Sequence, residues 1–135
     1  MSYAVFRVKR ALLERAVTRL RGYVHNGRLL FSDDDNLIVR AARYPQTCKV
    51  WYELPVQVTA RRDYEAPIVC LHCLKHALDE YRKQNLDEIE VNIFSARAHS
   101  IRLQSRLLDN SLVEAAFHKD KKSSVHHLVF IGAEK

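Results

Sequence analysis

The string Cys70-Leu71-His72-Cys73, with His76 following, carries the most metal-like chemistry in the sequence. A Cys-x-x-Cys pair can open a zinc site, but a structural site takes four ligands in tetrahedral geometry. No second Cys-x-x-Cys and no spaced histidine pair follows. On a helix, Cys70 and Cys73 fall on the apolar face, while His72 and His76, at i and i+4, share the polar face. The spacing therefore reads as two core cysteines beside a solvated histidine pair, and not as one metal centre. Redox chemistry of the thioredoxin kind wants the pair at a helix start inside a compact βαβ unit, and no such pattern surrounds it. His118, His126 and His127 could meet across a last hairpin and form a pH-sensitive or metal-binding cluster.

Two further features invite chemistry. Asp33-Asp34-Asp35 concentrates acid, but calcium loops place acids at alternate positions with a following glycine, so the run reads as a hairpin turn. Trp51 is the only tryptophan. In a strand it shares a face with Lys49 and Glu53, where it could anchor a partner or stack on a base. The three glycines, Gly22, Gly27 and Gly132, make no phosphate loop and no Gly-x-Ser-x-Gly elbow. No catalytic constellation emerges, so the chain reads as non-enzymatic, with no catalytic residue, no metal and no cofactor assigned.

The elements that would position these residues follow from periodicity. Residues 2–8 read as a strand. Residues 9–21 read as an amphipathic helix with Leu12, Leu13, Ala16, Val17 and Leu20 on one face, stopped at Gly22. His25-Asn26-Gly27 reads as a turn, residues 28–31 and 37–43 as a hairpin, Tyr44-Pro45-Gln46 as a break, and 48–54 as the next strand. After Pro55, residues 56–60 stay extended. Pro67 suits the first turn of a helix to about Gln84, with Cys70, Cys73, Leu74, Ala77, Leu78 and Tyr81 on its apolar face. Residues 88–95 and 101–107 alternate as strands, Asp109-Asn110 turns, 112–117 reads as a strand and 119–124 as a charged turn. The last strand, 125–131, is apolar on both faces, which favours burial or a subunit contact. These readings give a single α+β domain over 1–135, with about nine strands and two helices packed on antiparallel sheet. The order β-α-β-β-β occurs twice, over about 2–54 and 56–131.

The 135 residues suffice for a core without disulfides or metal. No apolar run is long enough for a membrane span, and arginines interrupt the start, which excludes a secretory signal. Three cysteines, Cys48, Cys70 and Cys73, suit a reducing, cytoplasmic setting. The formal charge is +6, with 14 arginines against 8 lysines. Residues 1–32 carry all of it, with seven bases (Arg7, Lys9, Arg10, Arg15, Arg19, Arg21 and Arg28) and one acid, Glu14. Such a local field attracts phosphate backbones or anionic surfaces.

The doubled element order resembles one domain of a DNA sliding clamp, the processivity factor of replicative polymerases. FRVKRALLERAVTRL looks like a clamp's first strand and helix, 26–43 like the hairpin after it, and 67–84 with DEIEVNIFSARAHSIRLQSRL like the second helix and its strands. In that family the helices line the DNA side, and the sheets form the outside and the subunit contacts. The resemblance implies DNA-facing roles for Arg10, Arg15, Arg19 and Arg21, and also for Lys75, Arg82 and Lys83. The chain departs from the family in having one such domain where a ring has six, acids Asp79 and Glu80 in the second helix, and an extra last strand.

The expectation is a non-enzymatic, nucleic-acid-associated protein, a clamp-like accessory factor for DNA. Arg10, Arg15, Arg19, Arg21, Arg28, Lys75, Arg82 and Lys83 would contact phosphates without reading sequence. The alternative is a protein-interaction module, such as an accessory subunit, an inhibitor, or a mobile-element or viral protein, acting through Trp51, Leu128 and Phe130. A lesser alternative is a small metal-dependent enzyme using the histidines. Homo-oligomerisation fits either leading reading, since one domain cannot encircle a duplex.

Overall fold

Alternating apolar residues open the chain as a strand, β1 (Tyr3–Lys9), with Ala4, Phe6 and Val8 buried. The period then changes to that of a helix. α1 (Arg10–Arg21) buries Leu13, Ala16, Val17 and Leu20. Gly22 ends it in a right-handed conformation, where the Tyr23 N–H donates to the Leu20 carbonyl at 2.9 Å. A meander follows: β2 (Asn26–Phe31), β3 (Leu37–Ala41) and β4 (Trp51–Leu54). β5 (Gln57–Arg62) and β6 (Ile68–Cys70) lead to α2 (Leu71–Lys83), which buries Leu71, Leu74, Ala77, Leu78 and Tyr81. A second meander closes the chain: β7 (Glu88–Phe94), β8 (Ser100–Arg106), β9 (Leu112–Lys119) and β10 (Val125–Ala133). This computed structural model describes residues 3–42, 50–94 and 100–133. Cys48, Lys49 and the Tyr44-Pro45-Gln46 break lie outside the described residues, as do Arg43 and Ser95 at the ends of two expected strands.

Two local expectations are corrected. Pro67 does not open α2. Ile68, Val69 and Cys70 are drawn into the sheet between β2 and β10 before the helix begins at Leu71. Asn26-Gly27 is not a turn either, because both residues lie in β2. Gly27 is there for space: a Cβ would sit 2.9 Å from Leu71 Cδ2 and 3.1 Å from the Arg40 carbonyl oxygen.

The ten strands of the described residues join one sheet, in the order β4-β3-β2-β6-β10-β9-β8-β7-β1-β5. The strand before each helix leaves its own meander. β1 pairs antiparallel with β7, and β6 pairs antiparallel with β2. Each half of the chain thus lends its first strand to the other half's meander. β10 bridges the halves, antiparallel to β9 over most of its length but parallel to β6 through only Val125↔Ile68 and His126↔Val69. That two-residue ladder is the thinnest seam in the sheet.

The edge strands β4 and β5 are separated by Pro55 and Val56 alone. Three Cα steps reach at most about 11 Å, whereas ten flat strands would spread over about 43 Å. The sheet must therefore curl until its edges approach. Side chains tie the opening: Arg61 pairs with Asp35 at 3.0 Å, Phe6 and Phe31 meet edge-to-face at 5.4 Å, and the Tyr64 hydroxyl donates to the Leu29 carbonyl. One apolar core fills the concave side, where α1's Leu13 and α2's Leu74 meet Phe6, Val69, Val91 and Phe117. Tyr81 carries its hydroxyl into this core, 2.9 Å from the Leu103 carbonyl and 3.1 Å from that of Val113. Burial pushes its pKa well above the ordinary phenol value. Neither helix is long and apolar enough to cross a membrane.

Candidate nucleic-acid interface

α1 and α2 lie side by side and run antiparallel. Arg82, in the last turn of α2, reaches Glu14 near the start of α1 at 3.4 Å. Arg21, in the last turn of α1, comes within 3.4 Å of His72 Nδ1 at the start of α2. Both helices therefore turn their polar sides to solvent on one surface. Their bases outnumber their acids seven to three: Arg10, Arg15, Arg19, Arg21, Lys75, Arg82 and Lys83 against Glu14, Asp79 and Glu80.

The eight cations expected to contact phosphate separate into three groups. Arg15, Arg19 and Arg21 are exposed, and none has a carboxylate partner among the described residues. Arg82 and Lys83 are exposed but paired, Arg82 with Glu14 and Asp79 and Lys83 with Glu80. Lys75 is held against Asp79 with its side chain only 16% exposed. This pairing holds the Asp79 carboxyl below the usual carboxylate range, the Lys75 hydrogen bond being the largest cause. Arg10 and Arg28 are structural. Arg10 Nε donates to the Leu86 carbonyl at 3.0 Å, its guanidinium pairs with Glu14 and Asp87, and its backbone N–H donates to the Asp87 carbonyl at 2.8 Å. It pins the start of α1 to the α2–β7 connection. Arg28 donates to the carbonyls of Ala42 and Ala66 at 2.7 and 2.9 Å, joining β3 to the loop before β6.

The residues expected to face a protein partner also divide. Trp51, on the edge strand β4, is 62% exposed. Phe130 is 54% exposed beside an exposed Val129, in the stretch where β10 slips register against β9. Leu128 turns the other way and packs against the core.

The cysteines overturn a sequence expectation. Both Cys70 and Cys73 are partly exposed: Cys73 packs against the edge of the core, whereas Cys70 lies outside it because it ends β6 and caps α2. Its Sγ accepts the Cys73 N–H at 3.4 Å. His127 from β10 completes a cluster, with Nδ1 3.9 Å from Cys73 Sγ. The donor atoms of Cys70, Cys73 and His127 all lie within 4.8 Å of one another. Burial pushes the Cys73 thiol pKa up, partly offset by a hydrogen bond from the Leu128 backbone. His72 and His76 stay exposed on the helix surface. In the last hairpin His127 faces His118 across the strands, while His126 is buried with Nδ1 2.9 Å from the Ile68 carbonyl oxygen. Sequence spacing grouped His127 with His118 and His126 and missed its approach to the cysteines, because it lies 54 residues from Cys73. The one available signal was the strand-start position of Cys70, hidden by reading Pro67 as the helix start. A cleft of about 430 Å³ beside β7 and β8 contains Arg7 and Glu90, which lie 3.9 Å apart and offset one another.

No family model matches the chain, and no curated protein and no solved structure matches it either.

Proposed function

We propose that this chain is a non-enzymatic, nucleic-acid-associated protein whose helix surface contacts the phosphate backbone irrespective of base sequence. The observation that supports this reading is the state of Arg15, Arg19 and Arg21. All three are exposed and free of carboxylate partners among the described residues, while the other helix bases are ion-paired. Exposed guanidiniums without an acid partner give the fork geometry and the positive field that phosphate recognition uses. Two antiparallel helices sharing that surface also fit the expectation from the clamp resemblance, in which helices face DNA. A clamp-like accessory role would require several copies around a duplex. Cytoplasmic residence belongs with this reading, since Cys70 and Cys73 are free thiols as a reducing compartment would keep them.

The test is anisotropy titration of labelled duplexes of unrelated sequence across a salt series. The chain should bind them alike, with affinity falling steeply with salt. The Arg15→Ala/Arg19→Ala/Arg21→Ala variant should lose about three units of the log–log salt slope. An unchanged slope and affinity in that variant would sink the proposal.

A second reading rests on the exposed apolar side chains. Trp51 on an edge strand and the Val129–Phe130 pair suit a protein partner, through strand addition or an aromatic anchor. Light scattering of the purified chain with and without DNA separates the readings. Self-association that Trp51→Ala or Phe130→Ser abolishes, with no response to DNA, would favour the second.

A further inference from the structure

We propose that Cys70, Cys73 and His127 form a zinc-binding site that clasps β10 to the β6–α2 junction. It stands independently of the nucleic-acid reading. Two thiolates and an imidazole are the donor set zinc prefers, and three protein ligands leave one tetrahedral position for water or an incoming ligand. The geometry is close to that needed. Tetrahedral zinc with bonds of about 2.3 Å to sulfur and 2.0 Å to nitrogen spaces those two ligand atoms about 3.5 Å apart. Cys73 Sγ and His127 Nδ1 already stand 3.9 Å apart, so that pair needs to close by only a few tenths of an ångström, and no donor pair needs to close by more than about 1 Å. All three donor atoms lie within 4.8 Å of one another.

The backbone prepares this arrangement. Cys70 sits where β6 turns into α2, which aims its sulfur back over the first helical turn, where it accepts the Cys73 N–H at 3.4 Å. Cys73 lies one turn on, beside β10. A backbone hydrogen bond to a ligating thiolate, as Cys70 receives, orients and stabilises it. His127 directly follows the two residues through which β10 joins β6. A metal here would cross-link the chain where the sheet is held by its shortest ladder, reinforcing the contact between the halves.

The experiment uses the full chain with Cys48→Ser, so that the cluster supplies the only thiols, under reducing conditions and with Co²⁺ or Zn²⁺ alone as probe. One equivalent of Co²⁺ should give thiolate-to-cobalt charge-transfer absorption and the strong visible bands of a four-coordinate ion, which Zn²⁺ then displaces. At a hundredfold excess over its dissociation constant, Zn²⁺ should raise the melting temperature by roughly 10 °C. His127→Ala, a change at an exposed side chain, should keep the fold by circular dichroism while weakening metal affinity tenfold or more. Cys70→Ser/Cys73→Ser should abolish the charge-transfer band and the thermal shift. Serine preserves the helix cap at 70, which guards against loss of fold. The proposal is overturned if the parent takes up no stoichiometric metal, or if either variant binds Co²⁺ with the parent's spectrum and affinity. A Cys70–Cys73 disulfide that forms in air, with no metal uptake after reduction, overturns it equally.

Discussion

α1, of 12 residues, and α2, of 13, each bury one leucine-rich stripe against the sheet, and each carries two bases in its last turn. Their polar faces differ. α2 contains Asp79 and Glu80, spaced to reach Lys75 at i−4, Arg82 at i+3 and Lys83 at i+3, and all three bases are paired. α1 contains only Glu14, which points sideways to Arg10 and across to Arg82. Arg15, Arg19 and Arg21 are left facing solvent without an acid partner among the described residues. Apolar periodicity thus decides where a helix sits, while acid spacing decides whether its bases are available to anything else. Helix charge alone is a poor guide to function, because α2's bases are largely compensated within the helix.

The sharpest way to test the shared half of this comparison is to cut equivalent core side chains. Leu20 in α1 and Leu78 in α2 are both fully buried. Leu20→Ala and Leu78→Ala should each cost about 2–5 kcal/mol in urea unfolding. A cost below about 1 kcal/mol for one and several for the other would show that the two helices do not share the packing burden.

A smaller effect separates the two helix starts. α1 begins with a peptide N–H and a guanidinium anchored on the α2–β7 connection. α2 begins with the Leu71 N–H donating to the His25 carbonyl at 3.0 Å and its side chain laid over Gly27. Gly27→Ala forces a methyl group against Leu71 and the Arg40 carbonyl, so it should cost about 1–3 kcal/mol. Hydrogen exchange should loosen in the first turn of α2 and remain unchanged in that of α1. Equal loosening of both starts would mean that the helices open as one unit.

The parts legible in the sequence were those written in local period. α1, the strands β7 and β8, the β2–β3 hairpin and the turn at Asp109-Asn110 all follow from spacing within a dozen residues. The exposed arginines of α1 were visible because three positions of its polar face lack a nearby acid. What failed was non-local or masked by a stronger signal. β6 is only three residues long and abuts α2, so Pro67 looked like a helix start. Gly27 looked like a turn because its crowding by Leu71 comes from 44 positions away. Arg28 looked like a free cation, since its carbonyl acceptors at Ala42 and Ala66 depend on how β2, β3 and the loop before β6 assemble. The Cys70–Cys73–His127 cluster needed the parallel β6–β10 seam, which no local pattern announces.

The subtlest expected effect concerns the closed polar face of α2. In the folded chain the Lys75 ammonium holds the Asp79 carboxyl below its ordinary value, so the unfolded chain binds that proton more readily. The stabilisation is therefore complete above the unfolded carboxylate pKa of about 4 and is lost as pH falls through the lower folded value. Asp79 is partly solvated, its side chain 29% exposed, so the contribution should stay under about 1 kcal/mol. Urea unfolding of the Asp79→Asn variant between pH 6 and pH 2 should show that much less acid-induced loss than the parent. The same substitution removes the acid shared by Lys75 and Arg82, so Lys75 loses its partner while Arg82 keeps Glu14 and Lys83 keeps Glu80. Under the nucleic-acid reading, duplex affinity at low salt should rise by a few-fold, with a steeper salt slope. If Asp79→Asn tightens binding of the parent but not of the α1 triple-arginine variant, pairing is what distinguishes the two helices. If Asp79→Asn restores binding to the triple variant, position along the surface matters less than the count of unpaired cations.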